Sequence, residues 1–254
     1  MNWRSKSLWL PIQIVCMAAL VIIAISFVNR KQEETMYKDL LVSIEDRYEN
    51  FFVDEEDVIA MITDNGEKVF EGKFITELDI KLLEDKVKNE SFIKDAEVYR
   101  DLKGNVLVRA TQRRPIARII SESGNHRYIA ADGTVLPVSR KYTAKVVLIR
   151  GLETLKPGDN ILNMEETLNL MDVLEFIYKD EFWKAQITEI EIQRNGDLIL
   201  YTQVSRQYVE FGKPEIVENK FARLKIFYKD ILPRKGWNVY ERVNLKFKDQ
   251  IICE

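Results

Sequence analysis

Leu8–Val28 is a run of 21 residues without a charged side chain, LWLPIQIVCMAALVIIAISFV, with Arg4 and Lys6 before it and Arg30 and Lys31 after it. Hydrocarbon offers peptide groups no water, so such a run must close its own hydrogen bonds as a helix. At about 1.5 Å per residue, some 20 apolar residues cross a core of about 30 Å. One crossing is expected, because no second run of this kind occurs in the chain. A cleaved leader would have an apolar core of roughly 7–15 residues and a small-x-small cleavage site. Here the run is longer, ends in Phe27 and Val28, and passes directly into Asn-Arg-Lys, with only Ala24 and Ser26 as a cleavage signal. The reading is an uncleaved anchor. Lys and Arg are balanced across the run, and the acid-free arm before it leans towards a cytoplasmic N-terminus.

Everything else follows the anchor. Residues 29–254 hold 36 Lys and Arg against all 41 acids, a formal charge of −5. That balance argues against a broad nucleic-acid surface. Some 225 residues suffice for one large or two modest domains. Cys16 lies in the anchor and Cys253 beside the last residue, so the two are not expected to pair. Pro and Gly are sparse, no tract is low in complexity and no solenoid repeat occurs, so an ordered chain is expected.

After the polar stretch 29–38, Leu40, Val42 and Ile44 alternate as in a half-buried strand. Asp54 with Asp57 caps a helix carrying Val58, Ile59 and Ile62. Thr76-x-x-Asp79 is a second capping signal, before the stripe Leu82, Leu83 and Val87. Strands follow at Ala96–Arg100 and Val106–Thr111, joined through Gly104-Asn105. Strand, helix, helix, strand, strand describes a compact α+β module of two helices on one sheet face. Pro115 donates no backbone bond and marks a strand end and a seam.

From Ile116 the texture is mostly β. Asp132-Gly133 is a hairpin turn, Lys145–Ile149 a strand ended by Gly151, and Met164–Tyr178 a helix. In EIEIQRNGDLILYT, Ile190 and Ile192 enter, Asn195-Gly196 turns, and Leu198 and Leu200 return. Gln207–Phe211 is a strand broken by Gly212 and Pro214. Val217, Phe221, Leu224, Tyr228 and Ile231 form an amphipathic helix stripe that Pro233 and Gly236 stop; a core role is expected for Phe221, Leu224 and Tyr228. Trp237–Ile252 then reads as one long strand. Trp237, Val239, Val243, Leu245, Phe247 and Ile251 share one face; Asn238, Tyr240, Arg242, Asn244, Lys246 and Lys248 share the other. A last strand at a sheet edge leaves backbone groups for a partner.

Chemistry-bearing constellations are scarce. His126 is the only histidine, beside Gly124-Asn125, and reads as a loop residue, since no Ser or Cys lies in a nucleophile context. Cys253 lacks a neighbouring site signature. Asp54-Glu55-Glu56-Asp57 lacks the glycine and spacing of a calcium loop, and capping duty accounts for it. No P-loop, dinucleotide turn or CxxC occurs. The reading is no enzyme, no cofactor, no metal and no small-molecule substrate.

The strand–helix–helix–strand–strand module is similar to a POTRA domain. Nearly the whole chain resembles the FtsQ/DivIB family of bitopic bacterial cell-division proteins. Three segments carry the likeness: LEDKVKNESFIKDAEVYRDLKGNVLVRATQRRPIARI with its Arg113-Arg114-Pro115 junction, YIAADGTVLP, and YVEFG with the helix and strand after it. Gln112 replaces the usual acid of the junction, Ala130 or Ala131 stands where an Asp is common, and DRYENFF (Asp46–Phe52) replaces a glycine-bearing turn. The resemblance implies a cytoplasmic arm at 1–7, a transmembrane helix at 8–28, a stalk at 29–38, a POTRA-like domain at 39–115 and a mainly antiparallel β-domain with two helices at 116–254. It implies an essential-type divisome scaffold in the cell inner membrane, its C-terminal domains periplasmic. Its partners would be FtsB (DivIC in Gram-positive bacteria) and FtsL, captured by strand addition at the C-terminal strand. The expected partner-binding residues are Trp237, Tyr240, Arg242, Asn244, Lys246 and Lys248; Arg113, Arg114 and Pro115 are junction or recruitment candidates. A POTRA-bearing component of protein export or outer-membrane assembly is the alternative, weakened because such proteins repeat the module or add a barrel.

Overall fold

A computed structural model describes residues 6–33, 36–45, 51–63, 70, 73–74, 77–164, 167, 169–204, 206–248 and 250–254. Helix α1 spans Lys6–Glu33. Its side chains are described at positions 13–26, where Ile14, Val15, Met17, Leu20, Val21, Ile22, Ile23 and Ile25 are all more than half exposed. Among the described residues, no helix is long and apolar enough to cross a membrane. Positions 13–26 rise about 21 Å, short of about 30 Å of hydrocarbon. The ends of the expected crossing, 8–12 and 27–28, lie outside the described side chains.

Beyond α1 the chain folds as two units, each mixed α and β. The first takes in residues up to Glu45 and Val53–Thr111; the second takes in Asp46–Phe52 and Gln112–Glu254. In the first, β1 (Leu40–Glu45), α2 (Glu55–Ile62), α3 (Ile80–Lys88), β2 (Ile93–Arg100) and β3 (Val106–Gln112) follow in chain order. The sheet order is β1-β3-β2, with β1 parallel to β3. Asp54 and Asp57 form a reciprocal capping box on α2. Helix α3 is capped by Asp79 itself, whose carboxylate accepts the Leu82 N–H at 3.1 Å; Thr76 lies outside the described residues. That places Leu82 outward and 55% exposed, leaving Leu83 and Val87 to meet the sheet with Val58, Ile62, Val98, Val106 and Val108. Of DRYENFF, positions 46–50 lie outside the described residues, while Phe52 packs edge-on against Tyr128 and Tyr142 within the second unit.

The second unit is built on β4 (Pro115–Ile119), β5 (Arg127–Ala130), β6 (Val135–Leu136), β7 (Val147–Arg150), β8 (Ile187–Ile192), β9 (Leu198–Thr202), β10 (Tyr208–Gly212), β11 (Arg242–Asn244) and β12 (Ile252–Cys253). They form one sheet in the order β12-β11-β10-β9-β8-β7-β4-β5-β6. Five of its eight pairings are antiparallel and three (β4–β7, β7–β8 and β10–β11) parallel. The helices are α4 (Leu170–Lys179), α5 (Glu181–Gln186), α6 (Val217–Ile226) and α7 (Leu232–Lys235). Among the described residues, the two helices expected are four α-helical segments in two stretches. Asp180 makes the first break: it ends α4 and caps α5 by accepting the Phe182 and Trp183 N–H groups.

Pro233 does not stop the helix that begins at Val217. A π-helical turn over Phe227–Ile231 widens the ladder, the Leu232 N–H reaches the Phe227 carbonyl, and Pro233 falls in the first turn of α7. There a missing N–H costs nothing. Gly236 ends the helix at φ 107°, a backbone region that favours glycine. Phe221 is the centre of the core, its ring 4.7 Å from Phe176, 5.0 Å from Trp183 and 5.1 Å from Phe211. Phe221, Leu224 and Tyr228 are buried, in the core role expected of them.

Candidate functional site: the C-terminal sheet edge

The single strand expected over Trp237–Ile252 is two short strands. After Gly236 the chain turns through 237–241, pairs β11 parallel to β10 over three residues, loops through 245–248 and returns as β12, antiparallel to β11. The sheet edge is therefore Ile252–Cys253. Period-2 alternation gives the same pattern for one straight strand as for two strands with an exposed loop between them. The loop is held by a residue outside the segment. Arg223 of α6 donates to the carbonyls of Leu245 at 3.3 Å, Phe247 at 2.9 Å and Gln250.

Of the six expected contact residues, three converge. Val243 points into the core, so its neighbours Arg242 and Asn244 face the other side of the sheet beside Glu210 of β10, with which Asn244 is in register. Asn244 is buried and donates to Glu210 Oε2 at 2.9 Å. Arg242 lies 3.7 Å from Glu210 and 3.4 Å from Glu254. Lys246 Nζ reaches Asp197 at 3.0 Å and Glu210 at 3.9 Å, and its backbone N–H donates to Asn244 Oδ1 at 2.9 Å. Burial resists ionisation of Asp197, but the Lys246 ammonium outweighs it and holds the pKa below the ordinary carboxylate value. Gly212 sits at φ 73° under this cluster, and a Cβ there would lie 2.9 Å from Lys246 Cγ. The other three diverge. Tyr240 turns towards Phe227, ring centroids 5.9 Å apart; Trp237 is 42% exposed beside Tyr228; Lys248 is exposed.

Asp197, Glu210, Arg223 and Glu254 were missed by sequence reading. Only Glu210 carried a signal, as a polar residue opposite Val209 and Phe211 in the strand alternation. A cavity of about 270 Å³ beside the edge is lined by Lys213, Lys220, Arg223, Lys246 and Lys248 against Asp197 and Glu215. Lys220 is buried there, its ammonium donating to the Phe211 and Lys213 carbonyls at 2.8 and 2.7 Å, and desolvation lowers its pKa.

The backbone of the edge is defined by its pairing. Arg242 and Glu254 exchange both hydrogen bonds at 3.0 Å, which makes them a hydrogen-bonded pair of the antiparallel ladder. The neighbouring pair, Val243 and Cys253, is then non-bonded, so the Cys253 N–H and C=O point away from β11. The opposite edge of the sheet is covered: Val135 N–H bonds the Asp159 carbonyl at 2.8 Å and Gly158 N–H bonds the Val135 carbonyl at 2.9 Å.

The model of the family described as FtsQ/DivIB, C-terminal related, matches residues 114–254, more than half of the chain, and a POTRA-like domain model matches residues 36–111. The chain belongs to the FtsQ/DivIB family. No curated protein matches it. FtsQ/DivIB proteins are membrane-anchored components of the divisome that interact with other division proteins, and both matched types are non-catalytic scaffolds. The FtsQ/DivIB-related match covers the whole of the edge described above.

At the junction, Arg113 is spent internally. It pairs with Asp132 and reaches Thr134 Oγ1 at 3.3 Å, bracing the Asp132-Gly133 turn. Arg114 is exposed, its guanidinium 4.8 Å from the Tyr178 ring centroid, and Pro115 is the buried first residue of β4. His126 accepts the Ser121 N–H at 3.2 Å through Nδ1, closing a surface turn. Among the described residues, no group of three His, Cys, Asp or Glu is arranged to hold a metal ion.

Proposed function

We propose that this protein is a single-pass inner-membrane scaffold of the divisome, its two folded units in the periplasm. It captures FtsB- and FtsL-like bitopic partners by adding a partner strand at β12. The observation that carries the reading is the outward-facing backbone of Cys253 at the only sheet edge of the second unit without a covering segment, among the described residues. Main-chain bonds from an added strand supply affinity, and alternate side chains set its register. Because β12 is two residues long, the backbone alone offers few bonds. Exposed side chains elsewhere on the terminal segment, Trp237 and Lys248, supply the rest. The apolar run 8–28 supports the anchor, as does the exposure of large apolar side chains on every side of α1, which water would not favour.

Lys246→Pro does not test this edge, because the Lys246 N–H is spent on Asn244 inside the loop. Cys253→Pro does: it removes the outward donor of the last residue of β12 and leaves the inward bonds of Arg242 with Glu254 in place. Co-purification of full-length chain with FtsB- and FtsL-like partners is expected to fall about fivefold for Cys253→Pro, one charge-free hydrogen bond being worth about 1 kcal/mol. Cys253→Ser should bind like the parent. Equal capture by the Pro variant, with far-UV dichroism unchanged, would remove β12 as the site. Midcell localisation of a fluorescent fusion separates this reading from protein export, for which a uniform envelope signal is expected.

A further inference from the structure

Three segments of the first unit meet at one end of its sheet. They are residues 36–39 ahead of β1, residues 73–74, and the β2–β3 turn at 101–105. Met36 bridges Phe74, Tyr37 N–H bonds the Lys73 carbonyl at 3.0 Å, and Lys38 N–H bonds the Gly104 carbonyl at 2.9 Å. Their apolar side chains face solvent: Met36 is 52% exposed, Phe74 41%, and Leu102 78%, the most exposed large apolar residue described. Exposed Lys38, Lys73 and Lys103 stand among them. Asp39 is the exposed acid of these segments; half-buried Asp101 is engaged by the turn itself, its carboxylate accepting the Lys103 and Asn105 N–H groups at 2.8 Å each and the Asn105 side chain at 2.7 Å. Those bonds also stiffen the turn, so presenting Leu102 costs little conformational freedom.

The covalent chain fixes what lies nearby. Two residues separate Glu33, the last of α1, from Met36, so their Cα atoms are at most about 11 Å apart. The five residues from Val28 to Glu33 add about 7.5 Å of helix. The headgroup layer is about 5–8 Å deep on each side. Apolar tips interleaved with lysines whose stems reach back to water are the composition of an interfacial contact.

We infer that this end of the POTRA-like unit rests on the bilayer that holds α1, with Leu102, Met36 and Phe74 entering the headgroup–acyl boundary and the three lysines meeting lipid phosphates. The inference rests on the anchor reading of 8–28. It assigns the first unit a fixed standing on the membrane, so that the anchor and this apolar end hold it at two points.

The test uses full-length chain with Cys16 and Cys253 changed to Ser, in nanodiscs of phosphatidylethanolamine and phosphatidylglycerol. A single nitroxide is placed by Leu102→Cys, Ile22→Cys or Ser91→Cys. Ser91 lies at the far end of β2, about 26 Å from the turn. Collision with oxygen should exceed collision with a nickel chelate severalfold at 102 and at 22, and the order should reverse at 91. A label at 102 that favours nickel while 22 favours oxygen overturns the inference and leaves the anchor standing. Nickel access at 22 overturns both. Adding Phe74→Asp to the chain labelled at 102 should return that label to nickel access; persistence of oxygen access would make the contact mere proximity and also overturn it.

Discussion

Ile216 is the single described non-glycine residue with positive φ, at 50°, and its side chain is 68% exposed. Left-handed backbone costs an L-residue about 1–2 kcal/mol, and a β-branched side chain raises the cost. Since the side chain buries little, Ile216→Gly should stabilise the start of α6 by about 0.5–1 kcal/mol after its own entropic cost. Slower amide exchange over Val217–Phe221 would register it. Arg223 is the opposite case, one side chain with three carbonyls to hold. Arg223→Lys keeps the charge and loses the fork, so amide exchange at Ile252 and Glu254 should speed up about tenfold or more, from the loss of about 1.5 kcal/mol per charged bond. Sequence gave no hint of this role. Arg223 lies 22–27 positions from its acceptors, and nothing in a helix-surface arginine says that a distant loop will arrive beneath it. Asp132 was readable as half of a turn but not as the partner of Arg113, whereas Phe221 was readable from helical spacing alone.

Local elements divide by whether their bonds are local. The β8–β9 hairpin forms as read, Ile190 opposite Leu200 and Ile192 opposite Leu198, because Asn195-Gly196 supplies the turn and alternation supplies the face. The capping box of α2 is equally local. The final segment differs: its three-residue and two-residue strands exist because β10 offers an edge and Arg223 holds the loop. The ion pair of Asp197 with Lys246 reports on it. The folded-state pKa of Asp197 is lowered, so its contribution is full above the ordinary carboxylate range and is lost as pH falls through the lowered value. Exchange of β11–β12 amides should therefore accelerate on acidification below about pH 4, beyond the intrinsic rate change, and Asp197→Asn should flatten that excess. In the core, Phe221→Ala removes the ring that three aromatics share and should cost about 3–5 kcal/mol in chemical unfolding of the second unit.

For the molecule as a whole, the decisive partition is between the apolar run 8–28 and two folded units. On the proposed anchor, Ile22→Arg, four residues past the centre of the run 8–28, should cost up to about 2.5–3.5 kcal/mol of insertion, read as protein lost from the membrane fraction. The amino-acid sequence by itself marked off the apolar run, because run length is a one-dimensional quantity, and the proposal of an anchor rests on it. It likewise determined the β-α-α-β-β order of the first unit, the β-rich character of the second and the family, all set by local periodicity and turn chemistry. Only the tertiary structure decided that the expected contact residues of the last segment split, with Arg242, Asn244 and Lys246 closing on Glu210 and Asp197 while Trp237 and Tyr240 turn to other rings. Only there does the sheet edge fall to Ile252–Cys253. Strand pairing and the fork of Arg223 join residues far apart in the chain, and periodicity carries no record of which distant partner a strand will find.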